Sequence, residues 1–122
     1  MKWILDNISI SKKLLKNKGL IFGTIDTFLI WRLTNKKNHL TDATNASRTL
    51  MYNINSNKWD DEILKKLNIP KNILPKVKNS ADDFGITSKK IIGEEIPINA
   101  VLGDQQAAAV GQACFDRGSV KS

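Results

Sequence analysis

The sequence predicts an α/β fold on three observations. Helix-period and strand-length apolar segments follow one another along the chain, each bounded by turn residues. The last third carries a strand–turn–helix pattern centred on Gly103-Asp104. The composition, 41% hydrophobic and 25% charged over 122 residues, is that of an ordinary globular domain able to bury a core. No internal repeat, low-complexity tract or Pro/Gly/Ser-rich linker divides the chain, so residues 1–122 read as one structural unit.

Residues 3–18, from Trp3, Ile4 and Leu5 to Leu14 and Leu15, fit one loose helix stopped at Gly19. Beyond Gly23, Thr24 or Asp26 can cap a second helix. Its residues Ile25, Phe28, Leu29, Ile30, Trp31 and Leu33 leave few polar positions, which predicts a mostly buried helix. Asn35 to Asn38 is turn chemistry, and His39, the sole histidine, lies just past it and is given no role. Residues 49–54 read as a strand, and Asn55 to Asn57 as a turn. A helix follows Trp59, with Asp60, Asp61 and Glu62 at its positive end and Lys65 and Lys66 at its negative end, stopped before Pro70 and Pro75. Phe84–Thr87 and Lys90–Ile92 are β-like pieces punctuated by Gly85 and Gly93. Residues 98–102 predict a strand, Gly103-Asp104 a turn, and residues 105–116 a closely packed helix ending near Gly118.

Ligands of α/β folds sit beyond the carboxyl ends of strands, which makes Asp104 the leading site candidate. Its carboxylate can cap the following helix or accept a proton from a substrate hydroxyl, and two oxygens allow both. Gln105 offers an amide that donates to and accepts from a hydroxyl, as a polyol requires, or it is a solvent-facing first-turn residue. Asp42, Asn45, Ser47 and Arg48 form a polar cluster that is either a satisfied turn network or part of a site wall. No GxxxxGK[ST] or GxGxxG loop is present to hold nucleotide phosphates. The single cysteine, Cys114, has no partner for a bridge and none at metal-ligand spacing, so metal sites and redox chemistry are not expected.

A net charge of +7 raises nucleic-acid binding as an alternative. The lysines, however, are scattered pairs without interleaved aromatics, and only Arg32, Arg48 and Arg117 are arginines, so a solvated basic surface is the better reading. No apolar run is continuous enough for a membrane span and no secretory leader is evident. A cytoplasmic protein without membrane or nucleic-acid partners is expected.

Several segments together resemble the FGGY carbohydrate kinases, and their glycerol-phosphorylating branch in particular. Lys2-Trp3-Ile4-Leu5-Asp6-Asn7 resembles part of the family's first signature. Phe22 to Trp31, Thr41 to Thr49 (Thr-Asp-Ala-Thr-Asn-Ala-Ser-Arg-Thr) and Gly103-Asp104-Gln105-Gln106-Ala107-Ala108 are similar to three further blocks, in register along the whole chain. The resemblance implies part of a ribonuclease H-like, actin-like N-terminal domain. It also implies ATP- and Mg²⁺-dependent phosphorylation of glycerol by a full-length homo-oligomer, with Asp104 as catalytic base and Asp104 with Gln105 as substrate ligands. It further implies that the rest of the glycerol site and both phosphate-binding segments lie outside these residues, so that the chain alone is inactive and only marginally stable. Where some relatives bind a sugar bisphosphate through Gly and Arg, Gly93 and Glu95 stand here, which predicts loss of that regulation.

Overall fold

The computed structural model describes residues 1–121. Its N-terminal helical stretch is two helices, α1 (Lys2–Asn7) and α2 (Ser9–Lys16), where one was expected. Ile8 breaks it by adopting an extended conformation, φ −99° and ψ 108°. The break is stabilised locally, because the buried Ser11 hydroxyl donates to the carbonyls of Ile8 (2.6 Å) and Ile4 (3.1 Å). The stop near Gly19 holds, although the left-handed residue is Lys18 (φ 55°), after which the Gly19 N–H donates to the Leu14 carbonyl at 2.8 Å.

Helix α3 (Ile25–Leu33) forms as expected but is not mostly buried. Asp26, Thr27 and Ile30 are buried along one stripe, whereas Ile25, Phe28 and Leu29 are 70%, 53% and 50% exposed. One stripe suffices because α3 packs against the segments Leu40–Asp42 and Lys89–Ile92, and among the described residues its other side is left exposed. Thr24, at the N-cap, gives its hydroxyl to the Asp26 carboxylate instead of accepting from the helix. Asp26 also accepts from Thr41 at 2.6 Å, tying α3 to β1 (Leu40–Asp42).

β1 pairs in parallel with β4 (Lys76–Lys78), in register Leu40 with Lys76 and Asp42 with Lys78. β1 leads directly into the short helix α4 (Ala43–Ser47). Of the strand expected over residues 49–54 only Tyr52–Asn53 forms, as β2, because Leu50 takes φ 60°. β2 pairs antiparallel with β3 (Lys58–Trp59) across a turn closed by Asn53, whose side chain accepts from the N–H groups of Asn55 and Ser56. Asp60 caps α5 (Asp61–Lys66) by accepting from the N–H groups of Ile63 and Glu62, and the bond from Ile63, one from the Asn53 amide and that from Glu62 hold its carboxyl below the usual range. The Tyr52 and Trp59 rings meet edge to face at 5.8 Å, and the Trp59 indole N–H donates to the Pro75 carbonyl at 2.8 Å. Around them Leu5, Ala46, Met51, Leu64, Ile69, Ile73 and Leu74 form the core, and the single 3₁₀ turn Lys71–Ile73 links α5 to β4.

Beyond β4 the chain departs further from expectation. Residues 90–92, read as β-like, belong to the helical turn α6 (Lys89–Ile92). Ser88 caps it, and Gly93 ends it with φ 87°, which gives that glycine a backbone reason to be there. Residues 84–87 and 98–102 are not strands. Residues 81–86 run antiparallel to residues 97–100 through isolated bridges, Ile86 with Pro97 and Ala81 with Ala100. Asp83 takes the Gly85 N–H into its own side chain, and Gly85 turns to φ 106°, which prevents a continuous ladder. The final helix, α7, is shorter than expected, Asp104–Gly111. Among the described residues no helix is long and apolar enough to cross a membrane.

Candidate functional site

The site is organised by Asp42. Fully buried at the end of β1, it caps α4 by accepting from the N–H groups of Thr44 and Asn45, both at 3.0 Å. It also accepts from the Thr44 hydroxyl (2.6 Å), the Asn45 amide (2.7 Å) and the Ser80 hydroxyl (2.7 Å). Burial alone would raise its pKa, but the hydrogen bonds from Thr44, Ser80 and Asn45 together outweigh that and hold the carboxyl below its ordinary range. The polar cluster over residues 42–48 divides in two. Asp42 and Ser47, which donates to the Thr44 carbonyl at 2.7 Å, form a turn network, while Asn45 and Arg48 face a cavity.

Thr44 links this network to the Asp104 turn, since its hydroxyl accepts from the Gly103 N–H at 2.8 Å across 59 residues of sequence. Gly103 is the N-cap of α7, so Asp104 occupies the first helical position and does not cap. Its side chain accepts only the neighbouring Gln105 N–H, at 2.7 Å and through Oδ1. The carboxylate is thus exposed at the positive end of the helix, directed to a cavity of about 270 Å³ lined by Asn45, Arg48, Gly103, Asp104, Gln105 and Gln106. That is near the lower end of the size range of small-molecule sites. Asp104 and Gln105 are brought together on this wall. His39 lies elsewhere, its ring against the Phe22 carbonyl at 2.6 Å, and Cys114 stands beyond the end of α7.

Sequence reasoning missed Thr44 and Ser80. Thr44 sits amid a run of hydroxyl residues that carried a signal, whereas Ser80 is 38 residues from Asp42 and nothing local marks it. Thr44→Val removes the acceptor that holds Gly103 and a donor to Asp42. We expect a loss of about 1–2 kcal/mol in stability, measured as a lower denaturant midpoint at unchanged slope.

The model of the N-terminal domain of the FGGY family of carbohydrate kinases matches residues 1–111. The chain belongs to the FGGY family of carbohydrate kinases. Among curated relatives, this FGGY chain is 58% identical over 120 residues to the glycerol kinase of Chelativorans sp. (strain BNC1), covering 98% of the chain and 24% of the relative. It is 56% identical over 123 residues to that of Agrobacterium fabrum, covering 100% of the chain and again 24% of the relative. Among solved structures it superposes on Plasmodium falciparum glycerol kinase with ADP at a TM-score of 0.89 and 37% identity, over 97% of this chain and 24% of that one. A ligand-bound xylulose kinase from Lactobacillus acidophilus matches at a TM-score of 0.68 and 24% identity, over 90% of this chain and 22% of that one, a likeness of fold alone. The FGGY chain spans about a quarter of the length of these relatives. Its fold is the α/β, actin-like N-terminal fold of the family, in part.

Proposed function

We propose that this chain supplies the hydroxyl-activating part of an ATP:glycerol 3-phosphotransferase site. The carrying observation is the Asp104 carboxylate, exposed at the start of α7 beside Gln105 and free of any capping bond. The 58% identity to a glycerol kinase supports glycerol as the substrate and ATP as the phosphoryl donor. Asp104 accepts the proton of the attacking hydroxyl as its oxygen bonds to the γ-phosphorus and the bond to the departing ADP breaks. The products are glycerol 3-phosphate, ADP and a proton. Gln105 holds a second hydroxyl through its amide. Oriented binding of both substrates supplies the rest of the rate, since phosphoryl transfer asks the protein chiefly for position and charge.

The donor set does not fit a Mg²⁺ cage of protein groups alone. Asp104 is the single carboxylate lining the cavity, and among the described residues no three His, Cys, Asp or Glu side chains converge.

The test is a chimera in which residues 1–122 replace the matching segment of the Chelativorans glycerol kinase. Glycerol-dependent ADP formation is the expected result. A folded chimera that binds nucleotide yet shows no glycerol-dependent turnover would sink the proposal.

A further inference from the structure

Resting on that reading, we propose that Arg48 binds the phosphate of the phosphorylated polyol, so that the cavity recognises product as well as substrate. Of the six residues lining the cavity, Arg48 is the only cation and Asp104 the only anion. Their side chains form no ion pair with each other, and among the described residues Arg48 pairs with no carboxylate at all. An arginine that shares a cavity wall with a carboxylate and leaves it unpaired keeps its guanidinium available for a third group. The planar guanidinium fork suits phosphate oxygens.

Charge makes this role specific. Transfer of a phosphoryl group places a dianion on the oxygen that Asp104 has just deprotonated. When Asp104 gives up its proton, two negative groups share one small cavity, a like-charge pairing that weakens binding unless a cation offsets it. Among the lining residues only Arg48 can do so. Its backbone is set for the task. Arg48 is the C-cap of α4, its N–H donates to the Asn45 carbonyl at 3.1 Å, and the same helix is capped by Asp42 and docked through Thr44 onto Gly103. The turns that carry the cation and the carboxylate are therefore joined by the hydrogen bond from the Gly103 N–H to the Thr44 hydroxyl. The remaining lining side chains, Asn45, Gln105 and Gln106, are amides suited to hydroxyls.

The experiment titrates the folded, nucleotide-free chimera with glycerol, inorganic phosphate and glycerol 3-phosphate, following the backbone amides of the transferred segment and the Arg48 Nε–H by NMR. Glycerol 3-phosphate is expected to bind about tenfold more tightly than glycerol, as one charge-assisted contact to phosphate provides. The Gly103 and Gln105 amides and Arg48 should shift together. Arg48→Ala should abolish the preference and leave the glycerol response in place, and Arg48→Lys should keep part of it. Equal responses to glycerol and glycerol 3-phosphate, no response to any phosphate, or a preference that survives Arg48→Ala with the spectrum otherwise intact would each overturn the inference. Failure of the glycerol-kinase reading shows separately, as a folded chimera without glycerol-dependent turnover.

Discussion

Asp104→Asn in the chimera is expected to lower kcat by ~10²–10⁴, the usual contribution of a positioned general base, while the KM for glycerol stays within a few fold. Asparagine keeps the shape of the side chain and the oxygen that accepts the Gln105 N–H, so the start of α7 should not move. What it loses is the capacity to take a proton. A kcat effect with little KM effect is the signature of an interaction made in the transition state and not in the ground state. Because Asp104 makes no capping bond, the variant should melt at the same temperature as its parent, which separates chemistry from stability. Retention of kcat within tenfold would show that the hydroxyl proton leaves by another route, for instance directly to a phosphate oxygen, and Asp104 would then be a substrate ligand only.

The parts of this site that were legible in the sequence are those whose partners are near in the chain. The Gly103-Asp104 turn and the helix after it are spelled by a small residue, an acid and a run of alanines, and the cap of α5 by Asp60 is equally local. An acid before an apolar helix usually caps it, which makes Asp104 a possible cap on sequence grounds. That the preceding glycine takes the cap position follows from the hydrogen bond between Gly103 and Thr44, which no window of sequence contains. The apolar richness of α3 predicts a mostly buried helix, yet Phe28 and Leu29 are exposed. Composition reports what a segment can bury, not what stands next to it. Residues 98–102 have the branched, apolar character of a strand, but strand assignment depends on a partner able to run alongside. The partner here is bent at Asp83 and Gly85, so only isolated bridges form. Conversely β4, Lys-Val-Lys, carries too little apolar signal to announce a strand and exists because β1 offers it a parallel edge.

Asp42→Ala is expected to remove about 3–4 kcal/mol of stability. The estimate combines loss of an N-cap, about 1–2 kcal/mol, with the cost of leaving the part-buried Thr44 and Ser80 hydroxyls without their charged acceptor. The effect should also reach the cavity, because Thr44 is oriented by Asp42 and in turn holds Gly103. The wild-type carboxyl has its pKa depressed in the folded state, burial being outweighed by the bonds from Thr44, Ser80 and Asn45. The stabilisation that this depression represents is complete above the unfolded-state pKa and disappears as pH falls through the lower folded-state pKa. Urea unfolding followed from neutral pH downward should therefore show the wild-type midpoint dropping across the acid range, from about pH 5 toward pH 2. Asp42→Ala, already low at neutral pH, should show a correspondingly shallower fall, so that the two curves converge in acid. Parallel curves would mean that Asp42 titrates no differently in the folded and unfolded chains, and that its five hydrogen bonds contribute geometry without charge.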